Sequence, residues 1–186
     1  MKQIKQVLFA FLFFLCVTNM NIAHAEEASE DTGDLQVVLN AIAENDLSGG
    51  ESINVLDGKY TITCEEILEE TPGLARNVFS TTKTYTKTYL VSSSGNKAFS
   101  LQQTVVAVFN TYTEKVCINS HNVTFTSYDS SYYLDHTVQV SSLNSWNSSI
   151  VASHKNVYVG KIGSGTMLIS AHASVTYSGT FSLSFD

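Results

Sequence analysis

Four histidines follow Ala25, at His121, His136, His154 and His172, and the last three are spaced eighteen residues apart. Histidine is the commonest zinc ligand, so this spacing raises a metal centre. Facing argues against one. His136 shares its parity with Tyr132, Leu134, Val138 and Val140, whereas His172 sits on the polar parity between Ala171 and Ala173. Side chains of opposite parity leave opposite faces of a strand, so no metal site and no cofactor are expected. Hydrolysis would need a nucleophile with a positioned base, or paired carboxylates. The Ser/Thr-rich part of the chain offers only Glu114, Asp129, Asp135 and Asp186 as acids, and it holds no Gly-x-Ser-x-Gly turn. Asp135 and His136 are adjacent and so diverge on a strand. The run Gly160-Lys161-Ile162-Gly163-Ser164-Gly165 lacks the Gly-Lys-Ser/Thr ending of a phosphate loop and reads as a hairpin turn. These residues point away from an enzyme.

Binding chemistry is better represented. Trp146, the sole tryptophan, lies in Ser141-Ser142-Leu143-Asn144-Ser145-Trp146-Asn147-Ser148-Ser149, where an indole beside Asn144 and Asn147 could stack on a sugar or on an apolar group of a partner. A second candidate is the strip of Tyr85 and Tyr89 with Lys83 and Lys87, provided its face is exposed; Thr82, Thr84, Thr86 and Thr88 line the other face. No cluster of Lys and Arg with interleaved aromatics appears, so nucleic acid is not an expected partner.

The chain opens with Lys2 and Lys5, the apolar run Val7 to Val17, and Ala23-His24-Ala25. That is the layout of a secretory signal cleaved near Ala25, and it predicts a secreted or extracytoplasmic protein. Two cysteines remain after cleavage, Cys64 and Cys117. In an oxidising compartment they are expected to form one disulfide, stabilising by about 4 kcal/mol in the chain-entropy model.

Charge is unevenly spread. Between Glu26 and Glu70 there are thirteen acids against Lys59 alone, a balance of −12, while Thr71 to Asp186 carries four acids and seven bases, a balance of +3. The favoured reading of that imbalance is a solvated, partly disordered N-terminal segment; electrostatic docking of the acidic lead on the body is the alternative. Residues 26–33 carry no apolar anchor and are expected to be disordered. From Asp34, Leu35, Val38, Leu39, Ile42 and Ala43 recur at helical spacing, so 34–76 reads as an acidic helical lead. Within it, Tyr60-Thr61-Ile62 reads as a short strand, and Thr63-Cys64-Glu65-Glu66 has the form of a capping box that would start a second helical turn ending at Pro72.

After Gly73 the rhythm becomes two. Odd positions from Met167 to Phe185 are almost all apolar, and nineteen extended residues would span roughly 60 Å, so this stretch must fold back, with Ser178-Gly179-Thr180 the natural hairpin. Similar alternation marks Val78 to Val91 and Phe99 to Tyr112, joined by a turn at Ser92 to Lys97; Val105 to Phe109, apolar on both parities, is expected to lie mid-sheet with both faces covered. Shorter strands are predicted at Val116 to Ile118, Val123 to Tyr128, Tyr132 to Val140, Ile150 to Ala152 and Val157 to Val159. The chain therefore reads as all-β, an antiparallel β-sandwich over 77–186 with a short N-terminal helical extension. It resembles immunoglobulin-type domains in architecture only, since Trp146 sits in a polar loop and Cys64 at a helix start. The function expected is a non-enzymatic, exported binding or envelope-associated module whose partner is a cell-envelope polymer, a glycan or a protein. The alternative is a membrane-active, pore-forming protein guarded by its acidic segment, because amphipathic hairpins also build transmembrane barrels.

Overall fold

The computed structural model describes residues 33–72, 79–136, 138–161 and 165–186. The expected signal at 1–25 and the acidic stretch up to residue 32 lie outside the described residues. Helix α1 (33–44) is followed by nine strands: β1 (Ser52–Val55), β2 (Tyr60–Pro72), β3 (Ser80–Ser93), β4 (Asn96–Asn110), β5 (Lys115–Ser127), β6 (Tyr132–His136), β7 (Ser149–Lys161), β8 (Gly165–Thr176) and β9 (Phe181–Phe185). They form two antiparallel sheets, β1-β2-β3-β4-β5 and β6-β7-β8-β9. Over the described residues the fold is an all-β, sandwich-like pair of sheets with one small helix.

Each sheet turns its apolar parity inward. Phe99, Leu101, Val105, Ala107 and Phe109 of β4 are buried, as are Ile169, Ala171, Ala173 and Val175 of β8 and Leu183 and Phe185 of β9. The intervening Val106 and Val108 are only half-buried, so β4, one strand from the edge, is covered on one face rather than two. Helix α1 covers what the second sheet does not: Leu35, Val38, Leu39 and Ile42 pack into one cluster with Tyr60, Ile62, Cys64, Tyr89 and Val91. Burial of each such side chain is worth about 1.5–3 kcal/mol, which gives this short helix its reason to form. Asp34, expected to cap the helix, lies in its first turn and pairs with Lys59.

Turn chemistry sets the hairpins. Ser94 and Gly95 both take positive φ (49° and 82°), the conformation of a two-residue turn, and pair Ser93 with Asn96. At the last hairpin Thr176 N donates to Thr180 O (3.0 Å) and Gly179 adopts φ 92°, so the predicted fold-back is present, one residue earlier than expected. Lys161 pairs with Gly165, so the glycine run is a hairpin connection; its tip, 162–164, lies outside the described residues. Gly160 has a separate task, since a Cβ there would come within 2.7 Å of the Tyr133 ring across the strand.

Three expectations are corrected. The capping box at Thr63 does not start a helical turn: β2 runs unbroken from Tyr60 to Pro72 and pairs with β3 at every step, from Tyr60 with Ser93 to Pro72 with Thr81. A partner strand of matching length supplies the hydrogen bonds that a helical turn would otherwise make internally. The sheet consequently begins at Ser52 rather than at 77, and much of the acidic lead is part of it. The strands expected at 116–118 and 123–128, and at 150–152 and 157–159, are single strands, each carrying a bulge.

The Cys64–Cys117 disulfide is also absent: both cysteines are free and buried. Cys64 is on β2 and Cys117 on β5, with β3 and β4 between them, and their rows on β4 are Leu101 and Val108. Three strand steps and seven residues amount to roughly 25 Å, several times the reach of a disulfide. The side chains also leave opposite faces of the sheet. Burial pushes the Cys64 thiol up to about 11 and raises that of Cys117 as well, so both stay protonated.

Two outcomes follow for the chain beginning at Glu26. Its thermal midpoint should be the same with and without a thiol reductant, and a drop on reduction would put the cysteines in a bridge. A chain starting at residue 77 should show no cooperative urea transition, because it lacks β1, β2 and the helix that cover Tyr89 and Val91; cooperative unfolding of that fragment would restore the sequence boundary.

Candidate functional site

The interior is not uniformly apolar. One buried cluster surrounds α1, Phe99, Leu101 and Phe185, and a second holds Val105, Phe109, Ile118, Ile150, Val175 and Leu183. Between them runs a belt of four buried polar residues, Lys87, Gln103, His121 and His154, each no more than 4% exposed. Pairing explains the row. Glu66, Lys87 and Gln103 are cross-strand neighbours on the inner face of the first sheet, and His121 lies opposite Val105, the next inward residue of β4.

Bulges aim the two imidazoles. The β4–β5 register shifts between Val106 and Ala107, opposite Asn119, so Val116 and Ile118 share the inner face with His121 and Val123 although their parity differs. In β7 the shift lies between His154 and Val157. A bulge re-aims the side chains beside it, and here two bulges bring rings from opposite sheets into contact. Their centroids are 4.6 Å apart, edge to face, with Nδ1 to Nδ1 at 3.3 Å.

Hydrogen-bond directions follow from the ends of the line. The Ser184 carbonyl can only accept, so Gln103 Nε2 donates to it (2.7 Å) and Gln103 Oε1 is turned to His121 Nε2 (3.1 Å). That oxygen must accept, which places the His121 proton on Nε2 and leaves Nδ1 a bare acceptor. His154 Nδ1–H then donates across the sheet interface. Protonating His121 would set two N–H groups against each other. Burial, with the nearby His154 and His172, depresses the His121 pKa from 6.5 to about 4.

At the other end Lys87 Nζ meets Asp46 Oδ1 (2.9 Å) and Glu66 Oε1 (3.3 Å) and lies 5.6 Å from the centre of the Tyr89 ring. Burial alone would lower its pKa, but the hydrogen bonds of Asp46 and Tyr89 outweigh it, and the net shift is upward. Lys83 pairs with Glu70 (3.2 Å). Lys83 and Lys87 of β3 thus pair with carboxylates of the acidic lead.

The sequence candidates are distributed otherwise. Tyr89 is 2% exposed and packs edge-on against Phe185, so the tyrosine strip is not a surface. Tyr85 is half-buried against Phe181 at 5.2 Å; burial and a hydrogen bond with Glu66 raise its pKa. The strip fails because its face is the one covered by α1 and the second sheet. The threonine ladder lies on the outer face, where Thr86 bonds Thr104 and Thr88 accepts from Gln102. His172 is on the outer face too, with Nε2 2.9 Å from Asp186 Oδ2. The side chains of Asp135 and His136 lie outside the described residues. Among the described residues no three His, Cys, Asp or Glu side chains converge as a metal site would require.

Trp146, Asn144 and Asn147 lie on one surface loop. All three are exposed, Trp146 at 45%. Their loop is pinned along the free edge of β5: Val116 N donates to Asn147 O (2.8 Å), Asn147 N to Val116 O (3.1 Å) and Asn144 N to Ile118 O (2.9 Å). Asn144 takes φ 57°, a left-handed conformation that asparagine tolerates well. Comparison of the chain with protein-family models, with curated proteins and with solved structures returns no match.

The imidazole pair makes stability depend on pH. Because the folded pKa of His121 is below its unfolded value, its contribution is complete above about 6.5 and is lost as pH falls toward 4, a change of roughly 3 kcal/mol. His121→Gln, which can still donate to Gln103 and accept from His154, should flatten the urea-unfolding free energy over that window. An unchanged slope in the variant would place the titration elsewhere.

Proposed function

We propose that the protein is an exported, non-enzymatic binding module that contacts a cell-envelope polymer or glycan through Trp146, flanked by Asn144 and Asn147. The observation that carries this reading is the anchoring of the loop. An exposed indole on a free loop would lose conformational freedom on binding, whereas this one is already fixed by backbone bonds to β5 on both sides. Amide side chains beside an aromatic ring suit a ligand with both a hydrophobic face and hydroxyl groups. The loop also covers part of an edge strand, so fold and binding surface share the same bonds.

The membrane-active alternative is less well supported. The long β3–β4 hairpin would need a continuous apolar band for lipid. Its inner face carries Lys83, Lys87 and Gln103, and its outer face carries Thr82, Thr84, Thr86 and Thr88. Neither face offers such a band.

Trp146 is the only tryptophan, so its emission reports directly on this surface. Titration with soluble fragments of cell-wall polymers and with oligosaccharides should shift that emission. Trp146→Ala should weaken binding, measured by calorimetry, at least tenfold while leaving the circular dichroism spectrum unchanged. Equal affinity in the variant would move the binding surface elsewhere.

A further inference from the structure

Among the described residues the outer edge of β2 is unpaired over half its length. β1 pairs only with Tyr60 to Thr63, and the last bonds on that side are Cys64 N to Glu51 O (2.9 Å) and Gly50 N to Cys64 O (2.8 Å). These bonds show that the backbone groups of Cys64 point away from β3. By the two-residue alternation of a strand, those of Leu68 and Glu70 do so as well. Gly49 lies against Glu66, where the chain turns away from the edge toward α1. Past that point no described residue pairs with the outer side of β2.

This half of β2 is also exposed on both faces. Ile67 on the outer face and Leu68 on the inner face are each 54% exposed, and a shallow groove bounded by Ser48, Gly49, Glu65, Glu66 and Ile67 opens at its head. An uncapped edge with apolar side chains on both faces is a template for an added strand.

Charge selects the occupant. Glu66 and Glu70 are engaged by Lys87 and Lys83, whereas Glu65 and Glu69 flank Ile67 on the exposed outer face. Antiparallel pairing with a second copy would set Glu65 against Glu69 of that copy if centred on Ile67, and Glu66 against Glu70 if centred on Leu68, which disfavours self-association. A cationic strand meets the complementary pattern. We propose that the β2 edge from Ile67 to Pro72 binds an extended basic segment of a partner protein by strand addition, with apolar residues facing Ile67 and Leu68, a Lys or Arg facing Glu69, and a second Lys or Arg reaching Glu65 from beyond the paired stretch. This surface is separate from the Trp146 loop, which lies on the opposite edge of the same sheet.

The probe is the acetylated, amidated peptide Thr-Lys-Val-Val-Thr-Lys-Thr, titrated into the chain beginning at Glu26 and followed by amide NMR. Binding should slow hydrogen exchange at the Leu68 and Glu70 amides, and a peptide N-methylated at alternate residues should bind at least tenfold more weakly. Reversing charge with Glu65→Lys and Glu69→Lys together should weaken the lysine peptide at least tenfold and favour its glutamate counterpart. These two side chains are exposed and form no ion pair among the described residues, so the fold should persist, as the unchanged spectrum of the free variant would verify. No binding at millimolar peptide, binding indifferent to charge reversal, protection absent from Leu68 and Glu70, or a wild-type dimer paired through β2 would each overturn the proposal.

Discussion

A directed line of hydrogen bonds through the interior fixes how the two sheets sit on each other. Apolar surfaces attract without specifying register, and two pleated faces lined with Val, Ala and Leu could pack in several offsets of similar energy. Polar atoms that must be satisfied cannot slide. Gln103 reaches from β4 to the Ser184 carbonyl of β9, and His121 of β5 accepts from His154 of β7, so one offset satisfies all of them. A buried donor left unpaired costs about 1–3 kcal/mol, which makes each shifted packing expensive. The remaining architecture follows: the second sheet covers β3 to β5, the helix covers β1 to β3, and the Trp146 loop closes the β5 edge.

The acidic segment completes that arrangement. Lys87 lies in the belt and would be a buried, uncompensated charge without Asp46 and Glu66. The carboxylates that make the N-terminal part look separable in the sequence are therefore what ties it to β3. Where they continue along β2 past Glu66, the same charges line an edge that no described residue pairs with.

Much of the fold was legible because two-residue periodicity survives translation into structure. The strands from Ser80 to Asn110, the Ser94-Gly95 turn, the final hairpin and the buried face of α1 all follow from local pattern. What failed did so for nonlocal reasons. Thr63-Cys64-Glu65-Glu66 has genuine helix-start chemistry, and only the presence of β3 alongside makes it a strand. The disulfide inference depended on compartment and number, whereas the distance between Cys64 and Cys117 depends on strand order, which alternation does not encode. The imidazole pair was hidden by the bulges: counted by parity, His121 falls out of step with Val116 and Ile118. A His between two short apolar runs that differ in parity is the signal that would have found it. The Trp146 loop was visible as an aromatic among amides, but its anchoring to β5 was not.

If the belt joins the sheets through one neutral and directed imidazole pair, long-range nitrogen–proton NMR of the histidine side chains at neutral pH will show His121 protonated only on Nε2 and His154 only on Nδ1, with slowly exchanging ring protons. Rapidly exchanging rings of mixed tautomer at both positions would contradict it.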